Sequence, residues 1–221
     1  MSLNYKMNYR YNLIIGALIF ITNLLGTLFG YATINLGFIS GDGPMLICII
    51  PFCISFFLLD IYTNQYGLYY SKKLIRLIMI VRLILAIYIF FLMRFNFINP
   101  EYYNYVKPVY TGLYAGAIAS LIAFNLNCYI FATIYNFFDG KFIWLRCLIA
   151  TSIGELIYSL ISNTIFLIQH DTLRNIWEIT LHNYSFKVFF ELSTLPLTYL
   201  LISFLNLHEK PYSIKFINFE A

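Results

Sequence analysis

Charged residues are scarce in this sequence. Asp, Glu, Lys and Arg make up 11% of its 221 residues, while hydrophobic residues make up 61%. A soluble domain carries about a quarter charged residues, so a water-facing surface cannot be built from this composition. The apolar residues instead form long runs, and a run of roughly 18 or more is what the hydrocarbon core of a bilayer requires. The composition therefore excludes an ordinary soluble domain and indicates a membrane protein.

The sequence also lacks the signatures of soluble chemistry. It contains no Gly-x-Ser-x-Gly elbow, no His-Glu-x-x-His pair and no phosphate-binding loop. Its four cysteines lie in or beside apolar runs at spacings that match no zinc or redox motif, which favours a packing role. The net charge of +4 comes from basic residues at the ends of apolar runs and does not indicate nucleic-acid binding. We expect no cofactor and no metal, and an enzyme is the weaker hypothesis.

Six apolar runs are present. They predict an all-α membrane protein, a bundle of six transmembrane helices that forms a single domain over residues 1–221. The first run follows a basic start but is too long for a cleaved signal peptide, so we interpret it as a permanent span. The predicted spans are residues 13–36, 44–59, 74–93, 112–135, 142–168 and 186–207.

The distribution of Lys and Arg predicts the orientation of this bundle. Basic residues near span ends favour the cytoplasmic side, and with six spans the side of the N-terminus holds nine of them against four. Both termini are therefore predicted to be cytoplasmic. Between spans five and six, residues 169–185 mix polar side chains with Trp177 and predict a short helix at the outer interface. The nine are Lys6, Arg10, Lys72, Lys73, Arg76, Lys141, Arg146, Lys210 and Lys215, and the four are Arg94, Lys107, Arg174 and Lys187.

The second predicted span is unusual, because it is short and carries Pro51 near its middle. It runs directly into the polar stretch 60–67. We expect it to be kinked or broken within the membrane. Irregular backbone at that depth survives only where protein or a wet cavity covers it, so its end is a candidate site.

Four charged residues stand inside predicted spans or at their edges: Asp60, Arg82, Glu155 and Glu191. Leaving all four unpaired in hydrocarbon would cost on the order of 10 kcal/mol, so each is expected to face the interior and find a partner. We expect Arg82 to pair with a carboxylate from another span. Lys187 lies four residues before Glu191 and can meet it on one helix face, as an ion pair or as part of a ligand contact.

A polar stripe marks span five. Glu155, Tyr158, Ser159, Ser162 and Asn163 recur at intervals of three and four residues, which places them on one helix face. We interpret the stripe as the wall of a wet or ligand-holding cavity. The alternative is hydrogen bonding between helices, a common role of Ser and Asn in membranes.

Small residues recur at four-residue steps in two spans. Span four carries Gly112, Gly116 and Ser120, and span one carries Gly26 and Gly30. This spacing lets two helix backbones approach closely, either within the bundle or against a partner protein.

Four segments of the sequence form an ordered set. The first is LLDIYTNQYG at 58–67, in which an Asp precedes a Gly by seven residues, with an aromatic just before the Gly and basic residues beyond it. The others are SLIAF at 120–124, WLRCLIATSIGELIYS at 144–159 and FKVFFELSTLPLTYLL at 186–201. In this order they resemble segments of the queuosine precursor transporters, also called the VUT or putative vitamin uptake family. The sequence departs from the family pattern at Asn64, where an acidic residue is usual, and at Glu155, where an amide is more usual.

The resemblance implies a multi-pass transporter in the cell inner (cytoplasmic) membrane that imports a queuosine precursor for tRNA modification salvage. The purine-like substrate would be a 7-deazaguanine, such as the cyano or aminomethyl base or queuine. Its guanine-like edge offers adjacent N–H donors that Glu155 or Asp60 can accept. The candidate substrate-binding residues are Asp60, Asn64, Asn127, Glu155, Ser159, Asn163 and Lys187, with Arg82 and Glu191 for ion pairing or coupling.

Two other functions stay open at this point. One is a substrate-capture subunit of an ATPase-energised vitamin uptake system, whose small-residue stripes would dock the energising partner. The other is a membrane-embedded enzyme or assembly factor. A homo-oligomer is also open, and the lipid bilayer is the partner common to all of these functions.

Overall fold

The computed structural model describes residues 10–29, 33–34, 45–167 and 173–209. Five long helices account for nearly all of them. A 3₁₀ turn, η1 (Pro100–Tyr102), precedes the third helix, and two short strands, β1 (Thr33–Ile34) and β2 (Met45–Leu46), pair antiparallel. The helices are α1 (Arg10–Leu28), α2 (Ile49–Arg94), α3 (Tyr103–Phe137), α4 (Ile143–Leu167) and α5 (Leu173–His208).

The bundle has an apolar exterior and a partly polar interior. Large apolar side chains such as Leu13, Leu200 and Leu207 are 79%, 67% and 83% exposed, while Arg82 and Glu155 are buried. All five helices are long and apolar enough to cross a bilayer. Water does not tolerate an apolar surface of this extent, so lipid surrounds the helices. The chain is a multi-pass membrane protein.

The longest helix, α2, is bent back on itself at Gly67. Gly67 has φ 80° and ψ 170°, a backbone conformation that is essentially restricted to glycine. Phe52 and Arg82 lie fifteen residues before and after this position, yet the guanidinium carbon is 5.6 Å from the ring centroid. In a straight helix, thirty residues would separate them by about 45 Å. The two arms, residues 49–66 and 68–94, therefore run antiparallel.

This bend corrects the boundaries expected for the second span. Pro51 lies in the first turn of α2 and not at mid-span, so its missing N–H removes no helical hydrogen bond. The helix then continues through Asp60 and the rest of the polar stretch to Gly67. The expected break is therefore real, but the glycine causes it. The predicted spans 44–59 and 74–93 belong to the two arms of one bent helix, and residue 44 lies outside the described residues.

The predicted interfacial helix is also not a separate element. Its described part, from Leu173 onward, is the beginning of α5, which continues without interruption to His208. At 36 residues, α5 is about 54 Å long and exceeds the roughly 30 Å hydrocarbon core. Trp177 is half-exposed near its start. Residues 169–172 lie outside the described residues.

The elements of the bundle define two ends. The Gly67 end contains the bend of α2, the start of α1 and the end of α5. Glu209 joins these three, because its carboxylate accepts hydrogen bonds from the Tyr11 backbone N–H at 2.9 Å and from the Tyr66 hydroxyl at 2.8 Å. The Arg94 end contains the end of α1, the start of the first α2 arm and the junction of α2 with α3.

We predict that Gly67→Ala destabilises the bundle by about 1 to 3 kcal/mol, because a Cβ is strained at this φ and ψ. Gly16→Ala is the matched control, since its Cβ would meet Leu74 and Tyr62 at the ordinary distances of 3.7 and 3.8 Å. Thermal unfolding in detergent measures both. Equal unfolding midpoints for the two variants would contradict the assigned strain.

Candidate functional site

A cavity lies at the Arg94 end, where all five helices converge. The cavity is partly open to the exterior, and the centre of a water-sized sphere can occupy about 50 Å³ of it. The walls come from the end of α1, the start of α2, the middle of α3, the second half of α4 and the first half of α5. The lining residues are Gly26, Thr27, Cys48, Ile49, Phe52, Gly112, Ala115, Gly116, Tyr158, Ser159, Ser162, Asn163, Asn183 and Lys187.

The polar stripe predicted on span five forms one wall of this cavity. Tyr158, Ser159, Ser162 and Asn163 all line it, at positions that face the same side of α4. Glu155 lies one turn further along the same face. The structure therefore agrees with the interpretation of the stripe as a cavity wall, and hydrogen bonding between helices accompanies it at Asn163, whose amide donates to Thr180 at 3.0 Å.

Lys187 and Glu155 form a buried ion pair at the inner edge of the cavity. The Lys187 ammonium is 2.5 Å from a Glu155 carboxylate oxygen, and it donates to the Ser159 hydroxyl at 2.9 Å. It also lies 5.3 Å from the centroid of the Tyr158 ring, within the range of a cation–π contact. The four-residue spacing of Lys187 and Glu191 allowed either an ion pair on their own helix or a ligand contact. Lys187 pairs across the bundle instead, because Glu155 from α4 faces it directly.

The remaining walls combine aromatic rings with amides. Phe52 and Tyr158 have ring centroids 4.8 Å apart and planes tilted by 50°. Asn183 is buried, and its side-chain oxygen has no hydrogen-bond partner in the described part of the structure. The cavity therefore presents apolar ring surface beside one unsatisfied acceptor, an ammonium group and hydroxyls, which is a set of groups suited to a flat, polar-edged molecule.

Arg82 lies next to the cavity, and its environment differs from the one expected. Its guanidinium donates to the Asn23 carbonyl at 2.8 Å, the Thr27 hydroxyl at 2.6 Å and the Ser120 hydroxyl at 2.9 Å. Within the described residues it contacts no carboxylate, so the predicted ion pair is wrong. Neutral oxygens from α1 and α3 satisfy this charge. They can do so because they lie at the same depth in the bundle as Arg82 on the second α2 arm.

The small-residue stripes make room for this arrangement. A Cβ on Gly116 would lie 2.4 Å from an Arg82 guanidinium nitrogen, and a Cβ on Gly26 would lie 3.0 Å from the Phe52 ring. Both glycines thus face the interior of the bundle. Close packing, the preferred interpretation of these stripes, is correct for them, and Gly30 lies outside the described residues.

A second polar group, the inner layer, lies one helical turn closer to the Gly67 end. Asp60 is its centre: one carboxylate oxygen accepts from the Asn127 amide at 2.8 Å and the other from the Thr151 hydroxyl at 2.7 Å. The ligating atoms of Asp60, Cys147 and Glu191 all lie within 4.8 Å of one another. On α4, Thr151 precedes Glu155 by four residues, and on α5, Glu191 follows Lys187 by four. Each of these two helices therefore contributes residues both to the cavity and to the inner layer.

The predicted site residues therefore divide between two places. Glu155, Ser159, Asn163 and Lys187 meet at the cavity, whereas Asp60, Asn127 and Glu191 form the inner layer. Asn64 is buried on the same arm as Asp60, one turn nearer the bend, and lies in neither group.

Sequence reasoning missed Thr151, Asn183 and the nearby Arg146, and it gave Cys147 of the inner layer only a packing role. Thr151 continues the α4 stripe by one more four-residue step, which is a signal that the sequence contained. Asn183 fell in the segment assigned to an interfacial helix. Arg146 was counted as a cytoplasmic charge, but it is buried, with its guanidinium carbon 5.0 Å from the centroid of the Phe131 ring and 4.7 Å from that of Tyr135.

A bundle of membrane-crossing helices around a polar cavity that opens at one end is the architecture of a small-molecule transporter. A family model described as "Putative vitamin uptake transporter" matches residues 47–201, which is 155 of the 221 residues. The chain belongs to this family. No curated protein and no solved structure matches it. The matched region begins at the cavity wall formed by the first α2 arm and includes both polar groups.

We predict that Lys187→Met destabilises the protein by about 3 to 5 kcal/mol, because it leaves the buried Glu155 carboxylate without its cation. Adding Glu155→Gln to the same chain removes that charge and should restore most of the loss. Thermal unfolding in detergent of the single and double variants measures the effect, with the exposed Lys107→Met as control. A double variant no more stable than Lys187→Met would show that the pair is not coupled.

Proposed function

We propose that this protein imports a 7-deazaguanine, a precursor of the tRNA nucleoside queuosine, across the bacterial inner membrane. Both α2 arms then cross the bilayer, which gives six spanning segments with both termini in the cytoplasm. The observation that carries the proposal is the cavity at the Arg94 end, where aromatic rings, amides and an ammonium group meet in a member of a transporter family.

The chemistry of the cavity supports a substrate of this class. A flat heterocycle can pack against the rings of Phe52 and Tyr158. Its ring carbonyl can accept from Lys187, and its N–H groups need acceptors, which the free oxygen of Asn183 and the carboxylate of Glu155 offer. Asp60 was the other carboxylate considered for this role. Asp60 lies one turn deeper, in the inner layer, so we assign the ligand to Glu155, which contacts Lys187 at the cavity.

The charge distribution supports an outward-facing cavity. In the described part of the chain, Lys72, Lys73 and Arg76 follow the bend of α2 at the Gly67 end, whereas Arg94 and Lys107 lie at the other end. The preference of basic residues for the cytoplasm assigns the Gly67 end to the inside. The open cavity then faces the outside, and the inner layer lies on the path from it to the cytoplasm.

The packing of the glycine stripes bears on the alternative function of a substrate-capture subunit. That function relied on the stripes to dock an energising partner, but Gly26 and Gly116 face Phe52 and Arg82 within the bundle. Gly26 and Gly116 are therefore occupied within the bundle and do not support docking of a partner. Uptake by the purified protein alone in liposomes separates the two functions, since a capture subunit needs its ATPase.

We predict that Asn183→Ala lowers the apparent affinity for a 7-deazaguanine about 10-fold, as expected for the loss of one ligand hydrogen bond. Asn125→Ala is the matched control, because Asn125 is half-buried outside the cavity and among the described residues its amide donates to the Leu121 carbonyl of its own helix. Concentration-dependent uptake into liposomes gives the affinity. Equal affinities for the two variants would remove Asn183 from the site.

Glu155→Gln tests the carboxylate itself. We expect it to abolish the tRNA queuosine that a precursor-dependent strain forms when it expresses this transporter, while the protein still inserts into the membrane. Glu101→Gln, at the exposed start of η1, is the control. Normal queuosine in the Glu155→Gln strain would contradict the assignment of Glu155 to the ligand.

The orientation can be tested by labelling with a membrane-impermeant maleimide, since all four native cysteines are buried and give a low background. We predict that Ser162→Cys, on the cavity wall, labels in intact cells and that a 7-deazaguanine slows the labelling. Lys73→Cys, exposed at the Gly67 end, should label only after the cells are permeabilised. The reverse pattern would mean that the cavity faces the cytoplasm.

A further inference from the structure

The inner layer brings together two carboxylates without a neutralising side chain. Asp60 and Glu191 are both buried, on α2 and α5, and their oxygens lie within 4.8 Å of each other. Arg146 is close enough to attract Asp60 electrostatically, but its guanidinium stacks on aromatic rings, donates to the Gly140 carbonyl at 3.2 Å and forms no ion pair with either carboxylate among the described residues. Lys187 neutralises Glu155 at the cavity, but no ion pair of this kind forms at Asp60 or Glu191 in the described part of the chain. Two negative charges this close in a low-dielectric interior must be neutralised, either by a bound cation or by protons.

The other groups around these carboxylates are also metal ligands. The Cys147 sulfur, on α4, lies within the same 4.8 Å of both. Asn127, on α3, donates its amide nitrogen to Asp60, so the oxygen of the same amide stands beside that carboxylate. This oxygen is buried and has no partner among the described residues, and neither has one oxygen of Glu191. Unsatisfied buried acceptors of this kind are able to bind an ion.

We propose that Asp60, Asn127, Cys147 and Glu191 bind one divalent transition-metal ion of the zinc class. Each of four helices supplies one ligand, which matches the four positions of a tetrahedral site. A sulfur ligand favours Zn²⁺ or Co²⁺ over Mg²⁺ or Ca²⁺, which prefer oxygen alone. Ligand atoms of such a site lie roughly 3.4 to 3.8 Å apart, so the ion draws the three acidic side chains slightly closer together.

The surroundings of Asp60 agree with this role. Thr151 donates its hydroxyl to one Asp60 oxygen at 2.7 Å. A hydrogen bond of this kind fixes the orientation of a metal-binding carboxylate from outside the ligand shell. The ion would join α2, α3, α4 and α5 below the cavity, and the proposal does not depend on which molecule the cavity binds.

Cobalt binding to the purified full-length protein in detergent tests the site. After removal of metal with a chelator, Co²⁺ should produce a thiolate-to-cobalt absorption band in the near ultraviolet that saturates at one ion per chain. Co²⁺ and Zn²⁺ should also raise the unfolding temperature, because the ion binds the folded state. Cys147→Ser should abolish the band, while Cys128→Ser, at a buried cysteine outside the site, should retain it.

Thr151→Val provides a second variant that keeps all four ligands. We expect it to retain the band and to bind Co²⁺ about 10- to 100-fold more weakly, the usual effect of losing such an orienting bond. A band that persists in Cys147→Ser would mean adventitious binding elsewhere and would overturn the proposal. The absence of both the band and the temperature shift would overturn it as well, because the two carboxylates would then be neutralised by protons.

Discussion

The fold depends on satisfying charges that the membrane cannot solvate, and Arg82 is the clearest case. Its guanidinium hydrogen bonds to α1 and α3 and lies against the ring of Phe52 on the opposite α2 arm. These contacts exist only because Gly67 turns the second arm back along the first and because Gly116 leaves the necessary space. In water a lysine or arginine would simply extend to solvent. In a bilayer the same charge fixes the relative positions of three helical segments, since breaking its bonds leaves a buried cation unsatisfied.

The same constraint produces two polar levels with a helical spacing. Residues 151 and 155 on α4, and 187 and 191 on α5, are each one turn apart, so these two helices supply both levels. At the cavity, a cation and a carboxylate face each other and neutralise one another. In the inner layer two carboxylates face each other, and neutral donors satisfy one of them. The bundle thus carries an ion pair at one level and two carboxylates at the next. Helix packing alone does not require these charges, because Ser and Thr side chains could form the hydrogen bonds between helices at a lower free-energy cost.

The sequence predicted the features that periodicity and hydropathy determine. Apolar runs marked the five long helices of the described chain, and the three- and four-residue spacing of the α4 stripe placed Tyr158, Ser159, Ser162 and Asn163 on the helix face that lines the cavity. The sequence could not predict which charged side chains contact each other. Lys187 and Glu191 are well placed for each other on one helix, but the α4–α5 packing brings Glu155 closer to the lysine. Likewise, Arg82 was expected to need a carboxylate, because sequence reveals charges and not the backbone carbonyls and hydroxyls that can replace them. A break was expected from the shortness of the second span, from Pro51 and from the polar stretch 60–67, but its position was not, because a proline at a helix start and one in a helix interior look alike until the start is known.

The two ends of the bundle are built differently. At the Gly67 end, the Glu209 carboxylate accepts from the first turn of α1 and from Tyr66, and the Gln65 amide donates to the Glu209 carbonyl. The N–H of Tyr11 has no partner within its own helix, so this carboxylate caps α1 and its charge is favoured by the helix dipole. At the Arg94 end no equivalent bond closes the cavity among the described residues. A transporter must open each end in turn, and the hydrogen bonds of Glu209 would have to break when the Gly67 end opens. On the proposed function, the bonds of this one carboxylate therefore contribute to the free-energy difference between the described state and an inward-open one.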